Sequence, residues 1–172
     1  MHILKITSRT ITIELINDLP YYNASEYEVY LDNQVLFKSN KNVITISDLK
    51  PSTKYSLSIL DKKIEFETLD ESMELNVKDF LAFGDGISDD TVKIQAAIMC
   101  CKENGTVYIP KGTYLVSSLY LKSNMMLYLD KDAKLLAKTK REDFPVHPGD
   151  PEKYNFGVWE GSEVNNFGSI IN

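Results

Sequence analysis

Over the first seventy residues apolar and polar side chains alternate with a period of two. Ile11, Ile13 and Leu15 fall on one side and Thr10, Thr12 and Glu14 on the other, which is the pattern of a half-buried strand. The pattern returns at Tyr27, Val29 and Leu31, from Val43 to Ile46, at Tyr55, Leu57 and Ile59, and at Ile64 and Phe66. An opening strand near Ile3 to Ile6 and another near Val35 to Phe37 bring the number to about seven, with turn signals at Asp18 to Pro20, Asp32-Asn33 and Asp61 to Lys63. No helix-period stretch interrupts them, so the spacing predicts an antiparallel β-sandwich of about 70 residues.

From Leu69 to Glu74 the alternation breaks in a charged joint, and a domain boundary is expected there, with residues 1–70 before it and 75–172 after. Ile94, Ala97, Ile98 and Cys101 then follow at steps of one helix face and predict a helix over about Asp90 to Glu103. Asp89 or Asp90 stands at the N-cap, and Asn104-Gly105 closes the far end. With Asp85 these aspartates could suggest a metal cluster. However, Ile87 occupies a position where a calcium loop needs a ligand, so turn and capping roles are expected. After the helix the chain repeats at an offset of 20: Val107, Tyr108, Ile109, Lys111, Leu115 and Val116 meet Leu127, Tyr128, Leu129, Lys131, Leu135 and Leu136. A fixed short period with strand character implies a stacked solenoid, here a parallel β-helix. Between the copies, Tyr120 to Asn124 is read as the end of a further strand.

Composition narrows the function classes. The formal net charge is −6, which argues against broad binding of nucleic acid or an anionic membrane. No apolar run approaches a membrane span and no signal-peptide core opens the chain, so as written it reads as cytoplasmic, or as secreted if a leader has been removed. Cys100 and Cys101 are adjacent, which excludes a disulfide scaffold, and both are expected to be small buried hydrophobes. His2 and His147 have no ligand spacing around them, and no metal or cofactor is expected. Lys134, Lys138, Lys140 and Arg141 form a basic cluster read as a solvated face. The sequons at Asn23 and Asn104 matter only in a secreted eukaryotic protein. Trp159 suits either stacking on a sugar ring or anchoring its own loop.

Two resemblances sharpen these readings. The run Leu49-Lys-Pro-Ser-Thr-Lys-Tyr-Ser-Leu57 resembles the fibronectin type III family, which implies a tyrosine corner at Tyr55 and a spacer or packing role, although Leu15 stands where that family usually has tryptophan. Asn76-Val-Lys-Asp-Phe, Gly84-Asp-Gly-Ile-Ser-Asp-Asp-Thr, Ile94-Gln-Ala-Ala-Ile and Gly105-Thr-Val-Tyr-Ile-Pro-Lys-Gly-Thr-Tyr resemble the amino-terminal cap of the pectate-lyase-like right-handed β-helix superfamily. Leu119 to Leu129, Arg141-Glu-Asp-Phe-Pro, Trp159-Glu-Gly and Phe167-Gly-Ser-Ile-Ile are similar to the polygalacturonase family of glycoside hydrolases. That resemblance implies inverting hydrolysis of α-1,4-galacturonan by two carboxyls roughly 6.5 to 9.5 Å apart. The family's Asn-Thr-Asp, Asp-Asp, Gly-His-Gly and Arg-Ile-Lys motifs are not complete here. Asp89-Asp90 precedes a helix, so no catalytic residue is assigned.

Taken together, these readings give a mainly β chain: a fibronectin type III-like sandwich, then the helical cap and first rungs of a right-handed parallel β-helix. It is expected to be the amino-terminal part of a pectin-degrading hydrolase, inactive alone because the catalytic aspartates lie beyond Asn172. Polygalacturonate or oligogalacturonates are the implied partners, with Arg141, Trp159 and Glu160 as substrate-binding candidates and Tyr55, Asp89 and Asp90 as structural ones. Self-association through the open β-helix end, and partial disorder after Arg141, are further expectations. The rival readings are a polysaccharide lyase or phage depolymerase with the same cap, and a non-catalytic binding module.

Overall fold

The computed structural model describes residues 1–15, 21–147 and 166–172, with short strands at 149–150, 154–155, 158–159 and 162–163; the turn expected at Asp18 to Pro20 lies outside the described residues. The protein is mainly β and divides into two compact units, Met1–Glu71 and Ser72–Asn172.

The first unit holds seven strands: β1 (His2–Ile6), β2 (Ile11–Glu14), β3 (Tyr22–Leu31), β4 (Gln34–Lys41), β5 (Val43–Ile46), β6 (Lys54–Ile59) and β7 (Lys62–Glu67). They form two antiparallel sheets, ordered β1-β2-β5 and β4-β3-β6-β7. The period-2 pattern sets the core, because alternate residues point to opposite faces. Ile11 pairs with Ile46 and Ile13 with Ile44, and these meet Val29, Leu57 and Ile59 in one buried cluster. The Tyr55 hydroxyl accepts from the Lys50 amide at 2.9 Å and ties β6 to the preceding corner. At the end of the unit, Arg9 clamps Glu71 with two charge-assisted bonds, of 2.7 and 2.6 Å.

The second unit is built from parallel pairs. Strands β8 (Glu74–Asn76), β10 (Thr106–Ile109) and β12 (Met126–Leu129) form one sheet, and β9 (Asp85–Asp89), β11 (Gly112–Val116) and β13 (Ala133–Ala137) form a second. A third side is marked by Leu119 bridging Ile171, with Leu119 N–H donating to Ile170 and Asn172 N–H donating to Leu119. Helix α1 (Thr91–Cys100) covers one end through Ile94, Ala97 and Ile98, and these pack with Val107, Ile109, Tyr114 and Val116 in the unit's core. From β13 to Ile171 the chain makes an excursion of short antiparallel pairs, among them Val146–His147 with Asn166–Phe167.

Five expectations need correction. Helix α1 is shorter than the apolar spacing suggested. Cys101 turns to extended backbone, and the chain reverses through left-handed Asn104 to enter β10. Asp85-Gly86, read as a turn signal, opens a strand, because the main chain from Asp85 to Asp89 pairs with β11. The 20-residue offset holds for β10 and β12, where Val107 faces Leu127, but becomes 21 for β11 and β13, where Leu115 faces Leu136. The strand expected to end at Tyr120 to Asn124 is reduced to the single bridge at Leu119. Cys101 is buried as expected, whereas Cys100 is exposed because it lies off the helix's core face.

Candidate functional site

The three aspartates before α1 have separate tasks. Asp85 accepts from the amides of Ile87 and Ser88 and from the Ser88 hydroxyl, and these bonds hold its carboxyl down at about 2. Asp89 accepts from the Thr91 amide and hydroxyl, and that hydroxyl accepts in turn from the Ser117 amide, joining the helix start to the end of β11. Asp90 stands at the N-cap but makes no capping bond with its side chain. It is fully buried and accepts instead from the amides of Phe83 and Gly84, each at 2.8 Å, with the Lys93 ammonium at 3.1 Å. A buried carboxylate must find donors, and that loop supplies two.

Where β13 leaves the second sheet, Lys138 reaches back 49 residues to Asp89 at 2.6 Å and lies 3.9 Å from Asp143. The Lys138 side chain is only 18% exposed and is tied to Asp89, so the solvated-face reading fails for Lys138. Burial works to raise the Asp89 carboxyl, but the bonds from Lys138 and Thr91 outweigh it and hold it at about 2. Leu115, Leu136, Ala137, Lys138, Thr139, Lys140 and Asp143 line an open cavity of about 330 Å³ at the root of the excursion. Arg141 lies in the short 3-10 turn Arg141–Asp143, with its guanidinium 5.0 Å from the Phe167 ring centroid, a cation–π contact at the neck of the excursion. Trp159 belongs to the strand Val158–Trp159; its side chain, and Glu160 altogether, lie outside the described residues. Sequence reasoning missed the Lys138 clamp and the Leu115–Leu136 floor. No local signal links residues so far apart.

On the outer face of the first parallel sheet Tyr108 stacks on Tyr128, and the Tyr108 hydroxyl donates to Asp130 at 2.8 Å. That bond pushes Tyr108 up to about 12 and Asp130 down. Among the described residues no three His, Cys, Asp or Glu side chains gather as a metal set. No described helix is long and apolar enough to cross a membrane.

The clamp carries a pH dependence. The Asp89 carboxyl falls from 3.8 to about 2 on folding, so its contribution is present above pH 4 and lost as pH drops towards 2. Lys138 is raised by the same bond, so its contribution is present below pH 10.5 and lost above. Substituting Lys138→Met is expected to cost about 0.2–1 kcal/mol at pH 7, since Asp89 is half exposed. Melting both proteins from pH 7 to 2 checks the sign, because the difference should vanish at the acid end.

Comparison with known proteins agrees with this architecture. Residues 75–138 match the family model described as Rhamnogalacturonase A/epimerase, pectate lyase-like. That match falls within the second unit, whose parallel rungs and helical cap have the fold of a right-handed β-helix. A family 28 exopolygalacturonase from Yersinia enterocolitica has the same fold, with a TM-score of 0.62 at 24% identity over 98% of this chain and 35% of that one. A mannuronan C5-epimerase of Azotobacter vinelandii is 49% identical over 65 residues, 32% of this chain and 6% of its own length. The plasmin and fibronectin-binding protein A of Streptococcus pneumoniae is 35% identical over 96 residues, 54% of this chain and 13% of its own. The chain therefore spans a small part of each curated relative.

Proposed function

We propose that the protein to which this chain belongs acts on uronate polysaccharide, as an inverting hydrolase of α-1,4-galacturonan, with the first unit a fibronectin type III-like accessory module. The observation that carries this is the capped stack of in-register parallel strands over residues 74–137, which all but coincides with the span 75–138 matched by the pectate-lyase-like family model. The exopolygalacturonase fold, shared along nearly the whole chain, supports it. The two sheets of the first unit and the Tyr55 corner support the accessory assignment.

We place the catalytic carboxyls outside the residues described here. An inverting hydrolase needs one carboxyl that keeps its proton near neutral pH. The carboxyls whose ionisation is displaced, Glu28, Asp85, Asp89 and Asp130, all move down, the wrong direction for a general acid. This chain is therefore expected to release no reducing ends from polygalacturonate above blank, and robust turnover by it would overturn the reading. A second reading, an epimerase or lyase of alginate-type uronans, is favoured by the higher identity to the mannuronan epimerase. Those reactions begin by removing the proton at C5, next to the carboxylate, and so need a base rather than a protonated acid.

A further inference from the structure

We infer that the first unit carries its own binding site for a short uronate oligosaccharide, in the cleft between the edge strands β4 and β5. This rests on the uronate reading above.

Strand β4 ends one sheet and β5 ends the other, so the sandwich is open along this side. Phe37, Ser39 and Lys41 alternate along β4 and share a face, since Phe37 pairs with buried Val29, Ser39 with buried Tyr27, and Lys41 with Tyr22. With Val43, Ile44 and Thr45 from β5 they bound a groove of about 480 Å³, within the range that small ligands fill. Its apolar wall is offered to solvent, with Phe37 37% exposed, and outside the lining Tyr22, paired with Lys41 across the strands, and Tyr21 are also exposed.

These groups match the chemistry of an acidic sugar. Aromatic faces take the C–H side of a pyranose ring, and the Lys41 ammonium meets its carboxylate; the Ser39 hydroxyl, which accepts from the Lys41 amide, and the Thr45 hydroxyl, paired with Thr12, each keep further hydrogen-bonding capacity for its hydroxyls. The buried Tyr27 hydroxyl donates to the Lys41 carbonyl, which fixes the strand where the ammonium is carried. Lys38, also on the rim, points to the opposite face of β4 and pairs with Glu28 at 3.2 Å.

Charge selects this cleft over its neighbours. None of its described lining residues is a carboxylate, although the whole chain carries −6. The groove around Tyr55 in the same unit is comparable in size, but Asp32, Glu65 and Glu67 outnumber Lys54 in its lining and would repel a polyuronate. The Tyr108–Tyr128 stack turns one face of each ring to the other and holds the Asp130 carboxylate at its edge, which would repel a uronate.

The test is a titration of the full chain with trigalacturonate, followed by calorimetry and by backbone amide shifts. Saturable binding is expected, with shifts confined to β4, β5 and Tyr21–Tyr22. Lys41→Glu should weaken it at least tenfold, Lys41→Arg should restore most of it, and neutral maltotriose should not bind. Both substitutions are at the surface, and unchanged melting shows that the fold is kept. No uronate binding, binding indifferent to Lys41→Glu, or a polyglutamate peptide bound equally well would each overturn the site. Trigalacturonate shifts confined to the second unit would remove this site and leave the hydrolase reading standing. Preference for trimannuronate, lost in Lys41→Glu, would keep the site and remove the galacturonan assignment.

Discussion

Replacing Asp90 by alanine is expected to destabilise the second unit by about 2–6 kcal/mol, since each of the two amides it serves is left without an acceptor at about 1–3 kcal/mol. The Lys93 ammonium loses its partner as well, but it is partly exposed and lies 3.9 Å from the Phe83 ring centroid, so it should relax at smaller cost. Asp90→Asn keeps one acceptor oxygen and should fall between the alanine variant and the native chain. Asp89→Ala is the contrasting case. Its carboxylate is half exposed, so the loss should stay near the 0.5–2 kcal/mol of a helix cap. Urea unfolding followed through a probe in the second unit distinguishes these, and equal costs at both positions would show that burial is not what sets the effect.

Tyr114→Ala should cost about 3–5 kcal/mol, in the range for deleting a buried aromatic ring. Tyr114 is fully buried, its hydroxyl donates to the Pro110 carbonyl at 2.9 Å, and the Lys78 ammonium sits 5.1 Å from its ring centroid. The ring also explains Gly84. At φ +63° that residue is left-handed, and a Cβ there would lie 2.8 Å from the Tyr114 ring. Tyr114→Phe removes only the hydroxyl bond, at about 1 kcal/mol. Thermal melting of the pair checks this. A small loss for the alanine variant would mean that the rung collapses onto the cavity.

Much of this was legible in the chain, for identifiable reasons. Seven short strands follow from the alternation at positions such as Ile11, Ile13, Leu57 and Ile59, all of them fully buried. The repeat joining Val107 to Leu127 is the actual parallel register. The second half of the repeat slipped by one residue because Leu135 and Leu136 are interchangeable in a similarity count, although a one-residue shift reverses the face of every side chain. In the structure Leu135 packs against the core, while Leu136 is 45% exposed and floors the cavity beside Lys138. Strand β9 was hidden because Asp85-Gly86 is a turn signal, and only pairing across 28 residues to Thr113 makes it a strand. The same limit hid the site. Lys138 and Asp89 come together through the rung stack, whereas helix capping and tyrosine corners act within a few residues and leave a local trace. The role of Asp90 was misplaced for a related reason, since its N-cap position is local but the loop that captures its carboxylate is tertiary.

The reaction that this β-helix serves leaves its mark on the product. A proton NMR time course of polygalacturonate with the protein carrying the complete β-helix tests it directly. Inverting hydrolysis predicts a new reducing end that appears first as the β-anomer and then mutarotates, with no unsaturated sugar signal. An unsaturated product would identify a lyase, and a changed C5 configuration in an uncut chain would identify an epimerase. Either result would contradict the hydrolase account.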